Sequence, residues 1–117
     1  MTTLVQQLHS LTAHCDLEER EIIEEMVINA ADYVQVVVVM ETKAKNFAGR
    51  QGNEMRDAVS TSDSARSRIH NSLIARVNAV NRICVAHGLE PIYTGDSERR
   101  HYGDFAFALA EEIFRTR

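Results

Sequence analysis

EIIEEMVINAADYVQVVVVMETKAKNFA, residues 21–48, is the stretch on which the fold turns. Its β-branched centre, Tyr33 to Met40, has the composition of a strand. Its flanks keep a helical period. At about 100° per residue, Ile22, Ile23, Met26, Ala30, Tyr33, Val34, Val37, Met40, Ala44 and Ala48 share one face, while Glu21, Glu24, Glu25 and Asp32 fall largely on the other. That is an amphipathic helix. A strand also needs a partner, and only Pro91-Ile92-Tyr93-Thr94 elsewhere hints at extended backbone. The stretch therefore reads as helix. Asp16 is its N-cap, Glu18 and Glu19 stand in the first turn where the dipole favours acids, and Gly49 stops it after about Ala48.

Upstream, Leu4, Val5, Leu8 and Leu11 form a stripe for a short first helix over residues 3 to about 13. Downstream, Gly49 and Gly52 frame a turn and Asn53 caps a second long helix. Its inner stripe is Met55, Val59, Ser62, Arg66, Ile69, His70, Leu73, Val77, Val80 and Cys84. It runs to about His87, where Gly88 and Pro91 end it. The Ser-rich residues 60–68 are a possible break in it. Residues 88–103 read as irregular, and a last helix is expected from Asp104 with Phe105, Ala106, Leu109 and Ile113 inward. A short turn between long helices makes them antiparallel neighbours. The expected fold is all-α: a long antiparallel helix hairpin with short N- and C-terminal helices, four-helix bundle-like, one domain over residues 1–117.

The bulk composition agrees. The 117 residues are 44% apolar and 26% charged, with one proline and five glycines, an ordinary globular balance with few turn residues. A net charge of −4 gives no general attraction to nucleic acid, and Arg66/Arg68 and Arg99-Arg100-His101 are short basic runs. The longest apolar run, Val36 to Met40, is too short to span a bilayer. The N-terminus shows no signal-peptide pattern. Cys15 and Cys84 make neither a disulfide framework nor a zinc spacing. A cytoplasmic protein with reduced thiols, binding neither nucleic acid nor membrane, is expected.

Polar residues on an apolar stripe are the first candidate site. Arg66 and His70 share a face with Leu73 and Val77, and Glu41 lies on the inner face of the preceding helix. Counted outward from the turn near Gln51, Glu41 stands within an arginine's reach of Arg66, and Tyr33 lies level with His70. Buried charges need partners. A Glu41–Arg66 pair with His70 and Tyr33 beside it is expected, as a register-fixing network or as a ligand site between helices.

Other patterns are weaker. Glu21-x-x-Glu24 and Glu54-x-x-Asp57 put carboxylates on one helix face at each site, a spacing that holds Mg²⁺ beside a phosphate. The arrangement resembles the all-α nucleotide pyrophosphatases of the MazG type, although Glu21 and Glu24 face away from the apolar stripe. Arg82-x-x-x-x-His87 resembles the motif of HEPN-type helical ribonucleases, but the two positions lie about 140° apart on a regular helix. Cys84 and His87 could share a metal, with His14 and Cys15 supplying more ligands, yet nothing in their spacing makes three or four ligands converge. No metal site and no cofactor are expected. The loop Gly95 to Gly103, carrying Arg99, Arg100, His101 and Tyr102, reads as solvated.

Apolar surface is in surplus. Phe107 and Phe114 point away from Leu109, and Ile28 and Val39 point away from the main stripe of the long helix. Such patches mark interfaces, so Phe107 and Phe114 are candidate interface residues of a homodimer. In the later half, Leu73-Ile74, Asn81-Arg82-Ile83-Cys84, Gly88-Leu89, Tyr93, Gly95, Gly103-Asp104-Phe105 and Ile113-Phe114 resemble an uncharacterised bacterial family of small all-helical proteins. That resemblance implies an all-α fold and carries no function. The expected role is a non-catalytic interaction or assembly module acting as a homodimer, with a protein partner also conceivable. The alternatives are a metal-dependent nucleotide pyrophosphatase of the all-α type and a HEPN-like ribonuclease.

Overall fold

Among the described residues the protein forms four helices: α1 (Leu4–Thr12), α2 (Leu17–Asn46), α3 (Asn53–Ala86) and α4 (Arg100–Arg115). The computed structural model describes residues 3–46, 53–93 and 100–115, with side chains described except at 43–46, 53–63, 100–101 and 114–115. The α2–α3 pair is the long hairpin the periodicity predicts. Residues 34–39 are helical, and α3 is one uninterrupted element through its Ser-rich stretch.

The starts of α1 and α2 are each made by a capping box. Thr3 Oγ1 accepts from the Gln6 amide (3.1 Å) while the Thr3 amide donates to Gln6 Oε1 (2.9 Å). At α2, Asp16 Oδ1 accepts from the Glu19 amide (2.8 Å) and the Asp16 amide donates to Glu19 Oε1 (3.1 Å). The α1 start is also tied to α4, because the Val5 amide donates to Glu112 Oε1 (3.0 Å).

Burial follows the helical period. On α2 it falls at Ile23, Met26, Ala30, Tyr33 and Val37, and on α3 at His70, Leu73, Val77, Val80 and Cys84. Each fully buried Leu, Val or Met stabilises by roughly 1.5–3 kcal/mol, which outweighs the modest strand preference of β-branched residues. α2 lies centrally and packs on α1, α3 and α4. Cross-helix partners set the antiparallel register: Glu25–Arg76, Asn29–Ser72 and Tyr33–His70 have residue numbers that add to between 101 and 103, as helices joined through residues 47–52 require.

Two differences from the sequence expectation matter. α4 begins at Arg100, not Asp104, so Gly103 lies inside a helix. A glycine there costs about 1 kcal/mol against alanine, and the reason is close approach. A Cβ on Gly103 would stand 2.8 Å from Tyr33 Oη and 3.2 Å from its ring. The second difference is Glu41, which sits on the inner side by helical angle but is exposed. Among the described residues the core stops at Val37 on α2 and His70 on α3. Beyond it, Glu41 and Thr42, the last described side chains of α2, are exposed.

Candidate functional site

Two clusters merit attention, one midway along the bundle and one at its end. At the first, the Tyr33 ring lies 5.4 Å from His70 and 6.3 Å, edge-on, from Phe107. Sequence counting placed Tyr33 level with His70, and the fold brings them together. Both are buried. Arg66 is half-buried with Nη2 3.5 Å from Ser67 Oγ. No ion pair joins Glu41 to Arg66 among the described contacts, since Glu41 lies past the end of the core. Phe107 is 40% exposed, and the side chain of Phe114 is outside the described residues.

The polar network that does bridge α2 and α3 is one turn nearer the core and escaped the sequence reading. Asn29 Nδ2 donates to the Ile69 carbonyl (3.1 Å), and its Oδ1 accepts from Ser72 Oγ (2.9 Å) and Arg76 Nε (3.3 Å). Arg76 also pairs with Glu25. Asn29 next to the inner residues Met26 and Ala30 was the available signal: an amide offers both donors and acceptors to a facing helix.

At the other end, α1, α2 and α3 converge. Cys15 Sγ, a Glu19 carboxylate oxygen and a His87 ring nitrogen all lie within 4.8 Å of one another. Glu19 Oε2 is 3.0 Å from His87 Nε2, while its Oε1 is held by the α2 capping box. The His14 ring centroid is 6.2 Å from that of His87. The Cys15 thiol donates to the Leu11 carbonyl (3.1 Å). Burial pushes the Cys15 thiol above its ordinary range, and the Glu19 and Asp16 carboxylates add to this; burial likewise raises Cys84. The expectation that nothing brings Cys15 and His87 together is therefore corrected, and Glu19, which the sequence reading placed only in the first turn of the long helix, joins them. Linear spacing keeps them apart, and antiparallel packing closes the gap of 68 positions between Glu19 and His87.

His87 is placed by the end of α3. The Leu89 amide reaches the Cys84 carbonyl (2.8 Å) and the Gly88 amide the Val85 carbonyl (3.0 Å), with Gly88 at φ +74°. This is a Schellman motif with His87 at its C-cap. Nothing lies within 4 Å of a Cβ at Gly88, so the cost of a side chain there is conformational alone. Gly88→Ala is expected to lower stability by about 1 kcal/mol, read as a lower urea midpoint at unchanged slope. An unchanged midpoint would rule out the left-handed conformation.

The residues of the alternative readings lie elsewhere. Glu21 and Glu24 are exposed on α2, and the side chains of Glu54 and Asp57 are outside the described residues. Arg82 lines a shallow surface depression with Asn78, Asn81 and Val85, whereas His87 bonds to Glu19. A depression of about 500 Å³ between α1 and residues 89–92 is lined by Gln7, Ser10, Leu11, Cys84 and Ile92 among others. No helix among the described residues is long and apolar enough to cross a membrane.

Comparison with known families places the chain. The family model described as "Protein of unknown function (DUF3232)" matches residues 1–112, and the chain belongs to that family. The resemblance to an uncharacterised family is thus borne out, over nearly the whole chain. No curated protein and no solved structure matches it.

Proposed function

We propose that the protein is a non-catalytic helical assembly module that acts in the cytoplasm as a homodimer, its two copies meeting along the outer face of α2. The observation carrying this is the exposure of Ile28 (53%), Val38 (48%) and Val39 (42%) on one helix. Ile28, Ala31, Gln35, Val38 and Thr42 recur at alternating steps of three and four, and all are exposed. At about 100° per residue they span a strip about 80° wide, opposite or beside the buried stripe. That is the spacing of a helix–helix seam.

A two-fold axis through Gln35 would make the strip self-complementary, as an isologous interface requires. Antiparallel pairing then sets Ile28 against Thr42 and Ala31 against Val39, large against small. Thr42 already spends its hydroxyl on the Val38 carbonyl (2.8 Å). Glu21, Glu24 and Glu25 precede the strip in sequence and Lys43 and Lys45 follow it, so antiparallel copies also place opposite charges together. Phe107, half-exposed on α4 beside Tyr33, lies on the other side of α2 and is a second, separate apolar patch open to a contact between copies. Tyr33 and His70 hold the register of the helices behind the interface.

Light scattering at tens of micromolar is expected to give twice the chain mass of 13.2 kDa. Ile28→Glu with Val38→Glu is expected to give the single-chain mass with unchanged helical circular dichroism, because both positions are exposed in the protomer. A monomeric parent protein would end the dimer proposal. A double variant that stays dimeric would move the interface off α2.

A further inference from the structure

Three backbone devices aim side chains at one point at the end of the bundle. Cys15 sits in the α1–α2 junction, its amide bonded to the Thr12 carbonyl at 3.1 Å. Glu19 is held through Oε1 by the Asp16 amide, which leaves Oε2 facing His87. His87 is the C-cap of a Schellman motif. Each is held by a bond: Cys15 is buried, Glu19 is half-buried, and His87, at the surface, keeps a side chain only 27% exposed.

The geometry points to a binding site for a Zn²⁺-class divalent cation held by Cys15 Sγ, Glu19 Oε2 and His87 Nε2. A thiolate with an imidazole selects borderline-soft cations and disfavours Mg²⁺ and Ca²⁺, which take oxygen ligands. Tetrahedral zinc with bonds of about 2.0–2.3 Å sets its ligand atoms about 3.3–3.8 Å apart. The Glu19–His87 pair, at 3.0 Å, is close to that spacing, and all three atoms are within 4.8 Å. Adjustment by about 1 Å completes the set, and the thiol releases its proton on binding.

Three protein ligands leave a fourth position for solvent, the open arrangement of zinc sites that act on ligands. His14, with its ring 6.2 Å from that of His87, flanks this position. An ordinary His–Glu ion pair accounts for two of the atoms. It does not account for a buried sulfur from a third element within the same radius. A bound cation fastens the α1–α2 junction to the end of α3, and the site stands whatever the oligomeric state of the chain.

The test uses the full chain, freed of metal by chelator and titrated with Co²⁺ and then Zn²⁺. Co²⁺ is expected to give a thiolate-to-cobalt charge-transfer absorption that saturates at equimolar metal and is displaced by Zn²⁺. Zn²⁺ at a hundredfold excess over Kd should raise Tm by roughly 10 °C. Cys15→Ser abolishes the band and Cys84→Ala retains it. His87→Gln, a change at the surface, weakens binding by more than about 100-fold, beyond the effect of losing an outer partner. Absence of both band and Tm shift in the parent protein overturns the site. So does a band that survives Cys15→Ser, or an affinity unmoved by His87→Gln.

Discussion

Tyr33→Ala is expected to lower the unfolding free energy by about 4 kcal/mol, within the range for removing a large buried aromatic side chain. Tyr33 is a side chain at which α2, α3 and α4 meet. It is 8% exposed, its ring packs on His70 and Phe107, and Gly103 exists in α4 to admit it. Truncation leaves a void lined by all three helices, and Gly103 cannot fill it. Tyr33→Phe keeps the ring and is expected to cost under about 1 kcal/mol. Urea denaturation of both variants checks this. A cost below about 1 kcal/mol for the alanine would mean that α4 does not dock on α2 through this ring. The result also bears on Tyr33 and His70 as a site, because a large loss of stability marks the pair as part of the core.

The hairpin was legible because α2 carries an apolar stripe over some seven turns, too long to be explained by chance composition. Its N-cap was legible for the same local reason: Asp16 reads as the cap, and the structure closes it with Glu19 into a capping box, while the stop expected at Gly49 lies outside the described residues. What failed is what depends on a partner at distance. Gly103 reads as a loop residue until the Tyr33 ring beside it is known. Glu41 reads as inward until it is clear that the core ends one turn earlier, at Val37. The Cys15–Glu19–His87 cluster has no signature, since its members come from two helix ends and a junction. Spacing rules assume that ligands are local or repeat at fixed intervals, and here neither holds. Asn29 and Asn81 were passed over because an asparagine on a helix flank gives no periodic signal.

Asn81 is the more consequential of those two, and Asn81→Ala is expected to cost about 3 kcal/mol. Its Oδ1 accepts from the amides of Ile92 (3.1 Å) and Tyr93 (3.4 Å), and its Nδ2 donates to the Tyr93 carbonyl (2.7 Å). One side chain thus stands in for a neighbouring strand. It satisfies Ile92 and Tyr93, within the segment that the sequence suggested was extended. Each of the three bonds, around the buried Ile92, contributes about 1 kcal/mol net. The segment matters because the Tyr93 ring packs on Tyr102 (5.2 Å) and Phe105 (5.1 Å), so releasing it also loosens α4. Asn81→Asp keeps the acceptor and loses the donor. It is expected to fall between the parent protein and the alanine, because two of the three bonds survive. Hydrogen exchange separates this from a general loss of stability: in Asn81→Ala the amides of Ile92 and Tyr93 should exchange by local opening while those of Leu73 and Val77 still report the global value. Equal protection at Ile92 in parent and variant would show that the segment is held by its aromatic contacts alone.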